Sequence, residues 1–292
     1  MLAGAEEAGG GGADLFSAFV VGHEIGARIA EAANLRPEVH PHGTAVAVAA
    51  CAGLAKLWGY TAPELAAAVQ QGAGLTVPAD WNAARVGATV RNLFTGVSVQ
   101  NAFIATASIR CGLGHNPGAL DQVFGRILGT AFDASALTSA LGTRWCIGEG
   151  VYFKRHACCQ GAHGALEALF ELRRDAEFDP EAVTSVTVRT YRSAALLNDT
   201  APRTPLGAKF SIPHALAAAV VLGDSGVDAF GADSLCDERI RALARRVRVV
   251  EDPTFTARLP EHRPTRVEVQ IGNRELVAEC EPRGVADETA PL

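Results

Sequence analysis

The apolar positions of the first half of the chain recur with the spacing of amphipathic helices. Asp14 is suited to cap the first of these helices, and Gly59 to end the second. Thr61-Ala62-Pro63-Glu64 forms a capping-box sequence with proline in the first turn. Residues 75–90 are rich in glycine and polar side chains and predict a loop. The pattern predicts long helices and one shorter helix, over residues 14–33, 45–58, 61–71, 95–111 and 117–125.

After about Gly150 the pattern changes, because strands with alternating apolar residues appear between helices. Gly272-Asn273-Arg274 separates two such runs and predicts a β-hairpin. The last residues, 287–292, predict a loose tail. The pattern predicts helices over 162–174, 212–222 and 237–246, and strands over 183–191, 247–250, 266–271 and 275–280. We therefore predict a mainly α protein with a smaller α+β part, in which a helical domain (1–150) is followed by an α+β domain (151–292).

Composition narrows the function classes. The chain has 292 residues, a formal net charge of −6 and only 6% aromatic residues. The sequence has no block of basic residues and few aromatic residues that could stack on bases. Both features argue against nucleic acid as a partner. The longest uncharged apolar run, residues 44–55, has the length of a buried helix, so we expect no membrane partner and no secretion leader. Seven scattered cysteines without a CxxC pair favour free thiols and a cytoplasmic location.

The segment from Lys154 to His163 holds the densest chemistry of the chain. Its ten residues include a lysine, an arginine, two histidines and two cysteines, and the chain has only three lysines. Cationic and protonatable groups beside an apolar helix are typical of a pocket that holds a carboxylate and moves a proton. The ordinary alternative is a helix N-terminus whose first turn is polar.

Three other kinds of site are less well supported. His156, Cys158, Cys159 and His163 are zinc-type ligands, but adjacent cysteines lack the usual ligand spacing, so we expect no metal. The glycine run 9–12 is not followed by the lysine of a phosphate-binding loop. A nucleophilic Cys159 activated by His163 has no evident orienting partner.

Five segments, in order, resemble motifs of the MmgE/PrpD family, which includes 2-methylcitrate dehydratase and cis-aconitate decarboxylase. The residues that carry the resemblance are Val21-Gly22-His23-Glu24-Ile25-Gly26-Ala27-Arg28, Val39-His40-Pro41-His42-Gly43-Thr44, Arg91-Asn92-Leu93-Phe94-Thr95-Gly96, Lys154 to His163, and Lys209-Phe210-Ser211-Ile212-Pro213-His214. The resemblance covers nearly the whole chain. It departs from the family pattern at four positions, which are His23, His42, Arg91 and His214.

The resemblance implies a helical domain, a smaller α+β lid and an active site in the cleft between them. It implies a lyase that dehydrates or decarboxylates a small polycarboxylate without a metal or organic cofactor. The alternatives are an isomerase or epimerase of a related acid, and a non-catalytic member that scaffolds a partner. We expect a homodimer.

The resemblance also implies roles for single residues. Lys154 matches a lysine of the family site, and Arg91 stands where the family has another lysine. Arginine can bind a carboxylate bidentately but cannot donate its proton. Cys159 stands where the dehydratases carry cysteine and the decarboxylases histidine. We predict Lys154, His40, His163 and Cys159 as catalytic residues, and Arg91, Lys209, His42 and Tyr191 as substrate-binding residues.

Relative to the family, the chain is short at both ends. The family begins with further helices that bear an Asp-Asp pair and a histidine, and it continues beyond Arg283-Gly284 into another helix. Without those helices, apolar surface is expected to be exposed to a partner or a second copy, and acid/base groups are lost.

Overall fold

The computed structural model describes residues 1–149, 153–175 and 179–282. The predicted tail, 287–292, lies outside them. The described chain forms two compact units. One contains residues 1–81 and 90–149, and the other contains residues 82–89 and the described residues from 153 onward. Residues 82–89 join the second unit through contacts such as the hydrogen bond from Thr204 Oγ1 to Gly87 O at 2.9 Å.

The first unit is built from helices and one short two-stranded ribbon. A π-helix over Asp121–Ile127 packs beside the ribbon. Strands β1 and β2 pair antiparallel, with Ala33 opposite Phe132. In chain order the elements are α1 (Leu2–Ala8), α2 (Gly12–Ala32), β1 (Ala33–Leu35), α3 (Ala45–Leu57), α4 (Ala62–Gly74), α5 (Trp81–Arg85, mostly in the second unit), α6 (Leu93–Arg110), β2 (Gly129–Phe132) and α7 (Ala134–Thr138).

Small residues let α2 and α3 pack very closely. A Cβ atom added to Gly22 would lie 2.8 Å from Ala49 O, and one added to Gly26 would lie 2.8 Å from Ala49 Cβ. The core beyond this contact contains Ile29, Val48 and Phe124, each at most 1% exposed. The alanine-rich sequence therefore produces a core held by close backbone approach more than by large side chains.

A buried ion pair ties α2 to the segment after α7. Arg28 Nε donates to Glu24 Oε1 at 2.5 Å, and Arg28 is fully buried. The guanidinium also donates to the carbonyls of Ser139 and Arg144, at 2.8 and 3.1 Å. Glu24 Oε2 accepts the Cys146 N–H at 2.8 Å. Both buried charges thus have several hydrogen-bond partners, as buried charges require.

The second unit is a four-stranded sheet covered by helices. The strand order is β4-β3-β5-β6, in which β3 and β4 run parallel and the other pairs are antiparallel. Helix α8 packs on β5 and β6, and α11 packs on α13 and β4. The elements are α8 (His163–Asp175), β3 (Val183–Thr190), α9 (Arg192–Ala195), α10 (Pro205–Lys209), α11 (Ile212–Leu222), α12 (Ala232–Cys236), α13 (Glu238–Ala244), β4 (Val247–Glu251), α14 (Pro253–Thr256), β5 (Thr265–Ile271) and β6 (Arg274–Cys280).

The mainly α class with a smaller α+β part is confirmed. The predicted capping box at Thr61 is also confirmed, since Thr61 N donates to Glu64 Oε2 at 2.7 Å. The loop predicted over 75–90 is partly wrong, because α5 forms within it. A short helix was predicted over 117–125, and the structure has the π-helix Asp121–Ile127 in its place, which begins and ends later in the chain. The sequence pattern also missed α1 and the β1–β2 ribbon, and it missed the four- and five-residue helices of the second unit.

The described residues contain no helix long and apolar enough to cross a membrane.

Candidate functional site

His40 is the centre of an imidazole and guanidinium cluster in the first unit. The His40 cluster consists of His40, His42, Trp81 and Arg91. His40 N donates to Ala79 O at 2.9 Å, which fixes the turn before α3. The turn continues through Gly43, whose φ of 99° favours glycine. The ring of His40 meets that of Trp81 edge-on at 4.4 Å and that of His42 at 4.6 Å.

The hydrogen bonds of His40 identify its protonation state. The ring is 2% exposed, and its Nδ1 accepts the backbone N–H of His42 at 3.0 Å. Burial, with the added effect of His42 and Arg91, lowers the pKa of His40 to about 4. A neutral ring whose Nδ1 accepts must carry its proton on Nε2. Nε2 is buried and has no hydrogen-bond partner among the described residues. It can therefore donate to a carboxylate oxygen.

Arg91 supplies the positive charge of this cluster. It lies in a short 3-10 helix, Thr89–Asn92, and its Nη2 lies 2.5 Å from Nδ1 of the exposed His42. Because arginine cannot lose its proton in proteins, His42 accepts in this pair and Arg91 keeps its charge. The three predicted residues of the first unit, His40, His42 and Arg91, thus lie together.

Two lysines flank one cysteine segment in the second unit. We call Lys154, Cys158, Cys159, His163 and Lys209 the Lys154 cluster. Lys154 Nζ donates to Cys158 O at 3.3 Å, and Cys159 N donates to Lys209 O at 2.8 Å. Burial raises the pKa of the Cys158 thiol, and both lysines act in the opposite direction. Cys158 therefore stays a neutral thiol, while the half-buried Cys159 lies beside it.

His163 begins α8 and is 2% exposed. Burial lowers its pKa to about 4, and the Lys154 cation adds to this effect. Hydrogen bonds from the ring to the backbone of Cys158 and His156 act the other way. At neutral pH the ring is therefore uncharged. Its Nε2 is buried without a hydrogen-bond partner among the described residues.

A second buried imidazole, His156, lies next to His163 and was not assigned a catalytic or binding role from the sequence. The two ring centroids are 4.9 Å apart. His156 Nδ1 lies 2.7 Å from Ser225 Oγ, and burial lowers the His156 pKa to about 4. Glu167, one helical turn after His163, completes a group whose ligand atoms all lie within 4.8 Å of one another. These three residues could hold a metal ion.

Two further residues that the sequence analysis named, Tyr191 and His214, are buried in the second unit. Tyr191 is buried at the end of β3, where its carbonyl accepts the Ala195 N–H at 3.0 Å. His214 is buried on α11, and its Nε2 lies 3.0 Å from Ala229 O and 3.1 Å from Ser234 Oγ. These contacts give His214 a structural role.

Sequence reasoning missed Trp81, Ser225 and Glu167. The four-residue spacing of His163 and Glu167 on a predicted helix was a usable signal for Glu167. Nothing in the sequence pattern pointed to Ser225, since its contact with His156 spans 69 residues.

The comparison with known families gives two matches in chain order. The model described as MmgE/PrpD N-terminal domain matches residues 1–125. The model described as MmgE/PrpD C-terminal domain matches residues 156–288. No curated protein matches the chain.

Proposed function

Because the chain belongs to the MmgE/PrpD family, which is known for dehydratase-type activity, we propose that it is a lyase acting on a small carboxylate. The reaction is dehydration or decarboxylation. The observation that carries the proposal is the grouping of Lys154 and Lys209 near Cys158, where the positive charge of each acts to lower the pKa of the thiol. Two lysine side chains near the neutral Cys158 thiol, with a neutral His163 ring beside them, suit the binding of an anion and the transfer of a proton.

In this proposal the cations hold the carboxylates of the substrate. Within the second unit, Lys154 and Lys209 supply two ammonium groups. Within the first unit, Arg91 supplies a guanidinium, a group suited to binding a carboxylate bidentately. His40 contributes a neutral N–H from Nε2. Such a donor stabilises the charge that develops on a carboxylate oxygen when the adjacent carbon loses a proton or carbon dioxide.

The proton-handling groups are Lys154, Cys159 and His163. In a dehydration, a base removes the proton next to the carboxylate, and hydroxide leaves with a second proton as water. In a decarboxylation, carbon dioxide leaves and the resulting carbanion takes up a proton. His42 and Tyr191 complete the proposed binding residues. The chemistry requires no metal or organic cofactor in either case.

An isomerase or epimerase of a related acid is the second enzymatic possibility, because it begins with the same removal of a proton next to a carboxylate. The third possibility is a non-catalytic protein that serves as a scaffold for a longer relative. Copurification with such a relative would favour the scaffold, whereas turnover of a carboxylate by the purified chain alone would exclude it.

We also propose that the protein acts as a homodimer in the cytoplasm. Support for the location comes from the seven cysteines, none of which forms a disulfide bond within the described part of the chain. Support for self-association comes from large apolar side chains exposed on the first unit, such as Phe16 at 69% and Phe19 at 50%.

The proposal is tested with Lys154→Ala. We expect kcat/KM to fall by about 100-fold or more, because both anion binding and proton transfer lose a group. A panel of citrate-like acids, followed by the ultraviolet absorbance of the alkene product, provides the assay. Lys56→Ala is the matched control, since Lys56 is an exposed lysine at the end of α3. Undiminished activity in Lys154→Ala, with an unchanged circular dichroism spectrum, would reject the assignment.

A further inference from the structure

His156, His163 and Glu167 bring three ligand atoms together at the start of α8. One atom from each residue lies within 4.8 Å of the other two. His163 and Glu167 are four residues apart on one helix, so they share a face. His156 comes from the preceding loop, which is held by a hydrogen bond from Ala157 N to Ser225 O at 3.0 Å. Two separate pieces of backbone therefore position the group.

The two imidazoles have the environment of metal ligands. His156 is 7% exposed and His163 is 2% exposed, yet Nε2 of each is buried without a hydrogen-bond partner among the described residues. Buried polar atoms are normally satisfied, so two such nitrogens side by side require an explanation. The other nitrogen of His156 is held by Ser225 Oγ at 2.7 Å. A ligand histidine is usually oriented in this way, through a hydrogen bond at its second nitrogen.

We propose that His156, His163 and Glu167 bind one divalent transition-metal ion, for which Zn²⁺ is the best-suited probe. Two imidazoles and a carboxylate form a ligand set that zinc accepts, with a fourth position open to water. Donors around tetrahedral zinc lie roughly 3.3 Å apart, so these atoms need to close by at most about 1.5 Å. Neutral imidazoles bind without first losing a proton.

The surroundings admit a cation. His156 and Glu167 line a groove of about 860 Å³ that also contains Glu171, Glu279 and Glu281. Arg155 and Arg174 line the same groove and oppose this negative charge, as does nearby Lys154. The groove gives a hydrated ion a path to both residues.

The inference goes beyond the proposed lyase function and does not depend on it. With the ion bound, His163 serves as a ligand, and proton transfer in the proposed reaction falls to Lys154 and Cys159. Metal binding is measured without substrate, so a chain without lyase activity still provides a complete test.

The test uses the full chain, stripped with a chelator and titrated with Zn²⁺ in a calorimeter. Co²⁺ serves as a spectroscopic probe through its visible absorption. We expect one ion per chain and weaker binding in Glu167→Gln. Ser225→Ala, which removes only the partner of His156, is expected to weaken binding by roughly 10- to 100-fold.

Two matched variants control for adventitious binding. Glu171→Gln removes a carboxylate of the same groove, one turn further along α8, and His115→Asn removes an exposed imidazole of the first unit. Neither is expected to change the affinity. His156→Asn and His163→Asn are expected to abolish binding. If either fails to fold, Glu167→Gln and Ser225→Ala still decide the outcome.

Three results would overturn the inference. The first is a wild-type chain that takes up no Zn²⁺. The second is equal affinity in wild type and Glu167→Gln. The third is a cobalt spectrum with the charge-transfer bands of thiolate ligands, which would assign the ion to the neighbouring cysteines instead.

Discussion

His40, His156 and His163 are imidazoles that burial keeps neutral. Burial lowers the pKa of each to about 4, and none is more than 7% exposed. A neutral imidazole can donate or accept one hydrogen bond at each nitrogen, but it brings no positive charge. The charge that attracts a carboxylate must therefore come from lysine or arginine, and each candidate cluster contains such a residue.

The depressed pKa of His40 predicts a pH dependence of stability. Between its folded pKa of about 4 and its unfolded value of 6.5, the unfolded chain binds a proton that the folded chain does not. The contribution of the neutral His40 ring to the free energy of unfolding is fully present above pH 6.5 and is lost as the pH falls toward 4. From this one group we expect a loss on the order of 2 kcal/mol between pH 7 and 5.

Urea unfolding at both pH values measures this loss. His40→Asn should show a smaller loss of stability on acidification than wild type. His115→Asn, which replaces an exposed histidine, should behave as wild type. The same pH dependence in all three proteins would contradict the assignment of a buried, neutral His40.

At the scale of elements, the close contact of α2 and α3 is the feature on which the first unit depends. Gly22 and Gly26 lie one turn apart on α2 and face Ala49 of α3. Without a Cβ atom at these positions the backbones approach each other, and many small side chains then make dispersion contacts. Helix propensity alone would favour alanine over glycine at both positions.

We predict that Gly22→Ala destabilises the protein by about 1–3 kcal/mol, because the new Cβ atom would lie 2.8 Å from the backbone oxygen of Ala49. Gly12→Ala is the matched control. Gly12 is also on α2, but apart from its chain neighbours and the backbone of its own helix, no atom lies within 4 Å of the position its Cβ would take. It should be neutral or stabilise by up to about 1 kcal/mol. Equal effects of the two substitutions on urea unfolding would refute the packing argument.

At the scale of the whole molecule, the exposed apolar surface of the first unit is the main evidence for a second copy. Met1, Phe19, Val46, Ala49 and Val99 line an apolar groove of about 390 Å³ in that unit. Phe16 precedes Phe19 by one helical turn and is also exposed. A large apolar patch on a protein of net charge −6 is typical of an interaction surface.

The proposed dimer is tested with Phe19→Glu. A buried carboxylate without a partner is costly, so we expect the variant to be monomeric under conditions in which the wild type is dimeric. Sedimentation equilibrium measures the mass. Val227→Glu, which introduces the same charge at a 72% exposed apolar position of the second unit, should stay dimeric. A monomeric wild type, or a dimeric Phe19→Glu, would contradict the proposal.

Length and periodicity explain which elements the sequence predicted well. The helices α2, α3, α6 and α11 have several turns of apolar residues, so local pattern and tertiary contacts agree. Helices of four or five residues, such as α9 and α10, are too short to show a period, and tertiary contacts stabilise them. The β1–β2 ribbon pairs residues almost a hundred positions apart, which no local pattern reveals.

The sequence by itself determined the family, the fold class and the chemical types of the candidate residues. Each motif and each hydrophobic period involves residues within a few turns of one another, so both can be recognised in the sequence. Only the tertiary structure decided that His40 carries its proton on Nε2, that two lysines flank Cys158, and that Glu167 joins His156 and His163. Burial and hydrogen-bond partners set these properties, and the folded chain supplies both through contacts between residues distant in sequence.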